Sequence, residues 1–118
     1  PAFQKTTKDG LYAKEQATRG AAQYVKFCEQ CHTPEKVPAN KKPAPVLTGP
    51  KFLEAWLDRP LGELYGTIFD TMPSDGSTTL TPEQALDAVA YILQINGYPD
   101  GPTPLKNDAA MKSAMIVK

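Results

Sequence analysis

The chain holds two cysteines and one histidine, and all three fall within five residues, Cys28-Glu29-Gln30-Cys31-His32. On a helix, two thiols three positions apart project to nearly the same side. Both can therefore add to the two vinyl groups on one edge of a porphyrin. A histidine directly after the second cysteine is then held beneath the ring, where an imidazole nitrogen can reach the iron. The pattern C-x-x-C-H is the signature of c-type haem attachment. Other chemistries suit these residues less well. A structural zinc site needs four ligands, normally with a second pair answering the first. Here there is no third cysteine and no second histidine, so a carboxylate would have to complete it. A thioredoxin-like dithiol belongs at a helix N-terminus after a strand, whereas a helix-patterned stretch precedes this motif. A plain disulfide gives His32 no role.

A six-coordinate haem needs a second axial ligand opposite His32. A methionine thioether suits electron transfer and raises the reduction potential. Of the three methionines, Met72 lies in a loop 40 residues after His32 and is followed by Pro73, which stiffens the turn. Met111 and Met115 fall in the tail, beyond the last firm helix. The expected site is Cys28 and Cys31 for the thioether bonds, with His32 and Met72 on the metal.

Several elements must position these groups. From about Tyr12 to Cys31 the residues Ala17, Ala21, Tyr24 and Cys28 follow the stripe of a buried helix face. Gly20 inside that helix costs about 1 kcal/mol relative to alanine, which points to close approach by another helix. Residues 33 to 50 hold five prolines and form a loop wrapping something, with Val46 and Leu47 turned inward. Two short helices follow, one with Phe52, Leu53, Trp56 and Leu57 on a face. The other carries Leu61, Leu64, Tyr65 and Ile68, with Pro60 in its first turn. Trp56, through its indole N–H, and Arg59 are candidate partners for a haem propionate. Thr81-Pro82-Glu83-Gln84 is a well-formed helix start; the helix carries Leu86, Val89, Ala90 and Leu93 and stops at Asn96-Gly97. A short helix from Asp108 to Met115 is expected in the tail, where Met111 and Met115 could pack it onto the body. No strand and no internal repeat is evident.

At 118 residues the chain is long enough for one domain that buries about two-thirds of its unfolded surface. Twelve prolines and eight glycines imply much loop, and a haem would supply apolar core that the side chains do not. The division expected is 1–97 as the haem-binding domain, with 1–11 a loose lead-in, and 98–118 as a tail packed on it or extending from it. Net charge is zero, which gives no sign of a nucleic-acid or anionic-membrane partner. The halves differ: residues 1–51 carry nine basic and four acidic side chains, and 52–118 carry four and nine. Such a dipole can orient a docking partner, and Lys36, Lys41, Lys42 and Lys51 could form a rim meeting an acidic one. No apolar run reaches ~18 residues, so membrane insertion is not expected. The start at Pro1-Ala2-Phe3 shows no signal peptide; because c-type haem is attached outside the cytoplasm, the expectation is a processed, periplasmic protein.

With Cys28-x-x-Cys31-His32, the later Met72-Pro73 and a capped C-terminal helix, residues 12 to 97 resemble a class I cytochrome c. In that family the N- and C-terminal helices cross at a glycine–aromatic contact. Gly20 and Tyr24 match one side of it and Tyr91 the other. The family also has a Gly-Pro-x-Leu stretch whose proline carbonyl accepts a hydrogen bond from the ligating imidazole. Pro45-Val46-Leu47 matches it in part, since Ala44 replaces the glycine, and Pro43 is the alternative. The resemblance implies an all-α cytochrome c fold, three to four helices around one covalently attached haem c with His/Met ligation and an exposed edge where redox proteins dock. It implies an electron carrier rather than an enzyme, working between a periplasmic dehydrogenase or membrane complex and an acceptor. Two alternatives stay open. One is the cytochrome subunit or excised domain of a larger dehydrogenase, quinoprotein or sulfur-compound oxidising; the other is a catalytic or gas-binding haem with an open distal site.

Overall fold

The N-terminal helix α1 spans Lys14–Gln23, and its first turn is closed by Gln16, whose Oε1 accepts from the Ala13 backbone N–H at 3.1 Å. In the computed structural model, which describes residues 4–118, this helix does not run unchanged into the cysteine motif. Tyr24–Cys28 widens into a π-turn, with the Glu29 N–H bonded to the Tyr24 carbonyl five residues back. Then α2, Glu29–His32, completes the run. A π-turn changes which way the following residues face. Thr33, extended ahead of Pro34, ends the helix.

The proline-rich stretch is a loop apart from a short 3₁₀ turn at Pro34–Lys36. It is followed by α3 (Gly49–Trp56) and α4 (Leu61–Thr71). Pro60 is the residue before α4, with extended backbone, rather than part of its first turn. Helix α5 (Pro82–Ile95) has the start and stop expected: Thr81 Oγ1 accepts from Gln84 N–H at 3.1 Å and Gln84 Oε1 accepts from Thr81 N–H at 2.8 Å. Gly97 beyond its end has φ +83°, the left-handed conformation that stops helices. All of Leu86, Val89, Ala90 and Leu93 are buried.

Helices α1 and α5 cross at Gly20. A Cβ there would lie 2.0 Å from the Asp87 carbonyl oxygen and 2.8 Å from Tyr91 Cβ, so the two backbones meet where no side chain fits. Beside the crossing, the Tyr24 and Tyr91 rings sit 5.3 Å apart. Arg19 grips buried Asp87 with two hydrogen bonds of 2.9 and 3.1 Å. The glycine–aromatic contact expected from the resemblance is therefore present, with a fork-shaped ion pair added to it.

The tail packs on the body, with Leu105, Met111, Ala114 and Ile116 all in the core. Helix α6 covers Ala109–Ser113 and stops short of Met115. From Ala114 the chain is extended and pairs with two neighbours. Leu61 N–H bonds Ala114 O at 2.7 Å, Ile116 N–H bonds Arg59 O at 3.0 Å, and Met115 N–H bonds Lys5 O at 2.9 Å. Thr7 is buried, its N–H bonded to Met115 O. The lead-in, expected to be loose, is thus held by the tail from Lys5 on; Pro1–Phe3 lie outside the described residues. The all-α expectation stands, since two isolated backbone bridges are the only strand-like pairings among the described residues.

Candidate haem site

Between the π-turn and α2, the proline-rich loop, α4 and α5 lies a cavity of about 330 Å³. Cys28, Cys31, His32 and Met72 all line it. Its apolar walls come from Phe27 beside the motif, Leu47 of the loop, Ile68 of α4, and Ala88 and Ile92 of α5. Residues far apart in sequence are thus brought to one space, as the spacing argument requires.

His32 is buried, and its Nδ1 lies 2.7 Å from the Pro45 carbonyl oxygen. A carbonyl can only accept, so Nδ1 carries the proton and Nε2 keeps its lone pair. The imidazole is thereby fixed in the tautomer a metal ligand needs, by the partner a ligating histidine usually has. Pro45, rather than Pro43, is that partner. A second bond, Ala44 N–H to Cys31 O at 2.8 Å, lays the loop against the motif.

The cysteines differ. Cys31 is exposed, whereas burial pushes the Cys28 thiol up to about 11, with Cys31 adding to the effect. A site that disfavours a thiolate suits neutral sulfur, as in a thioether, and is poor for a nucleophile. No group of three or more His, Cys, Asp or Glu side chains is arranged for a metal ion among the described residues. The apolar cavity, two sulfurs on one wall, a pre-set imidazole and a thioether in Met72 fit a haem.

Met72 sits where α4 ends, its N–H still bonded to Ile68 O at 3.1 Å. The Ser74–Ser77 loop after it contributes polar groups to the cavity rim. There the Ser77 N–H, 2.9 Å from Asp75 Oδ1, holds the Asp75 carboxyl below its usual range. The structure does not bring Trp56 or Arg59 to the cavity. The Arg59 guanidinium lies 4.4 Å from the Trp56 ring centroid and is bonded to Glu63 at 3.3 Å and Ala55 O at 3.1 Å. The cation lining the cavity is Lys26. Its position two residues before Cys28 was the available signal, but the π-turn that sets where it points has no sequence mark.

Residues 15–92 match the family model described as "Cytochrome C oxidase, cbb3-type, subunit III". The chain belongs to this family of c-type cytochrome domains. The match spans about two-thirds of the chain and runs from the first turn of α1 to the cavity-lining Ile92 of α5. No curated protein and no solved structure matches the chain significantly. Family membership makes this an all-α c-type cytochrome whose work is haem-based electron transfer with redox partners. No helix among the described residues is long and apolar enough to cross a membrane.

Proposed function

We propose that this cytochrome carries single electrons through one haem c, bonded to Cys28 and Cys31 and ligated by His32 and Met72. The observation that carries the reading is the 2.7 Å contact from His32 Nδ1 to Pro45 O, in a cavity that also receives both cysteines and Met72. Bound haem would supply a one-electron Fe(III)/Fe(II) couple. The chain's own residues do the rest. Pro45 O holds the Nδ1 proton and so keeps Nε2 free and basic. Met72 would offer the iron a soft and uncharged donor that favours the reduced state and would leave no position for substrate. Leu47, Ile68 and Ile92 line the cavity and would keep water from a bound ring, and Cys31, at the surface, marks where its edge would be reachable. With haem bound, that edge is where an electron would be exchanged with donor and acceptor proteins, with no bond made or broken.

The donor is a periplasmic dehydrogenase or a membrane complex, and exposed Lys41 and Lys42 favour an acidic docking face, whereas Lys36 is already paired with Glu29 at 2.7 Å. The family's description as an oxidase subunit favours a second reading, an electron-transfer domain within a larger oxidoreductase. Purification from the native source decides between them: a chain that always elutes free and monomeric removes the subunit reading. The attachment itself is tested by intact mass after expression with a haem-lyase system. The expected mass is that of the chain plus one tetrapyrrole, lost when Cys28 and Cys31 are both replaced by alanine. A mass without added haem would overturn the proposal.

A further inference from the structure

Asn96 closes α5, and in the sequence Asn96-Gly97 reads only as a helix stop. Its side chain does more. Nδ2 donates to the Ile92 carbonyl at 2.8 Å and to the Leu47 carbonyl at 2.9 Å, while Oδ1 accepts from the Gly49 N–H at 3.0 Å. Turning the amide round would set an oxygen against two carbonyls, so its orientation is fixed by its partners. Ile92 O also accepts from the Asn96 backbone N–H at 3.2 Å, whereas Gly49 N–H is one of the donors the start of α3 leaves without a partner inside the helix. Thr48, at the position before α3, makes no side-chain cap of its own. One half-buried amide therefore caps the start of α3 and ties the loop before it to the last turn of α5.

That loop is the one carrying Pro45. It is bonded to the haem motif at one end, through Ala44 N–H to Cys31 O and Pro45 O to His32, and to Asn96 at the other, through Leu47 and Gly49. The motif is itself tied to α5 by the Gly20 crossing. Both partners of the His32–Pro45 hydrogen bond are thus referred to the same helix, one through α1 and one through Asn96.

We infer that Asn96 is a positioning residue for the haem ligand: by clamping Leu47 and Gly49 to the end of α5, it holds the Pro45 carbonyl on His32 Nδ1–H and so tunes the imidazole's donor strength. This rests on the reading of His32 as the iron ligand. Losing the clamp lets the carbonyl drift, weakens the imidazole as a donor and destabilises the oxidised state, so the reduction potential rises.

The test is proton exchange at His32 Nδ1, followed by NMR in the reduced holoprotein, with the reduction potential measured in parallel. In Asn96→Ala the exchange is expected to be about tenfold faster and the potential higher. Asn96→Asp, of the same shape but without the two donors, is expected to follow it and serves if the alanine variant does not fold. Gln94→Ala, an exposed change in the same last turn, controls for simple fraying and should alter neither quantity. Exchange within twofold of wild type in both Asn96 variants would overturn the clamp while leaving His32 as ligand. An unprotected Nδ1 proton in the wild type would overturn the ligand reading and the clamp with it.

Discussion

Two glycine-to-alanine substitutions, both inside helices, should shift stability in opposite directions. At Gly20 an added Cβ would stand 2.0 Å from the Asp87 carbonyl oxygen and 2.7 Å from its carbon, both backbone atoms that cannot swing aside. The α1–α5 crossing would have to open, disturbing the Arg19–Asp87 pair and the tyrosine contact beside it. Overpacking of this kind costs about 3 kcal/mol at the upper end of the usual range, offset by about 1 kcal/mol of gained helix propensity. The net loss is about 2 kcal/mol, which for a chain of this size lowers Tm by about 8 °C. At Gly66 in α4 the nearest atom to an added Cβ is Asp70 Oδ2, 3.9 Å away, at the flexible end of a side chain. There the propensity gain stands alone, and Gly66→Ala should raise Tm by about 4 °C. Thermal unfolding of the two holoproteins, followed by circular dichroism, reads both. A Gly20→Ala protein as stable as wild type would refute the reasoning, because it would mean the helices do not cross at backbone contact.

Gln16 joins the tail to α1: its Oε1 accepts from Leu105 N–H at 2.7 Å and its Nε2 donates to Leu105 O at 3.0 Å, all buried. Gln16→Leu keeps the volume but strands both backbone groups, and should cost about 3 kcal/mol in denaturant unfolding; a loss under 1 kcal/mol would show the tail is held mainly by its apolar side chains. Truncation after Gly101 removes Leu105, Met111, Ala114 and Ile116 from the core and should leave a chain that fails to unfold cooperatively; a sharp transition near the wild-type Tm would contradict this. A chain never loaded with haem keeps a cavity of about 330 Å³, a penalty of up to ~8 kcal/mol, comparable to a whole domain's stability. It should therefore be largely unfolded, and native helical dichroism without haem would speak against the ring as core.

Local chemistry made some elements plain in the sequence and left others hidden. The α5 boundaries were legible because Thr81, Pro82, Gln84 and Gly97 act on their own neighbours in the chain. The Gly20 crossing was legible because a glycine within a helix is costly unless something needs the space. What stayed hidden depends on partners distant in sequence. Gln16 reads as an ordinary helix residue until Leu105 arrives, and Asn96 as a stop until Leu47 and Gly49 do. The sequence left open whether the tail, with prolines at 99, 102 and 104, packs on the domain or extends from it; its buried side chains and the backbone bonds of Ala114–Ile116 pack it on. Arg59 offered a charge in a plausible place, but the Trp56 face and Glu63 engage it first.

The optical spectrum of the oxidised holoprotein tests the site most directly, because methionine ligation gives low-spin iron and a weak far-red band. The band should be present in wild type and in Met111→Ala, whose methionine is buried away from the cavity, and absent in Met72→Ala. A high-spin wild-type spectrum, or a band that survives the loss of Met72, would contradict the account.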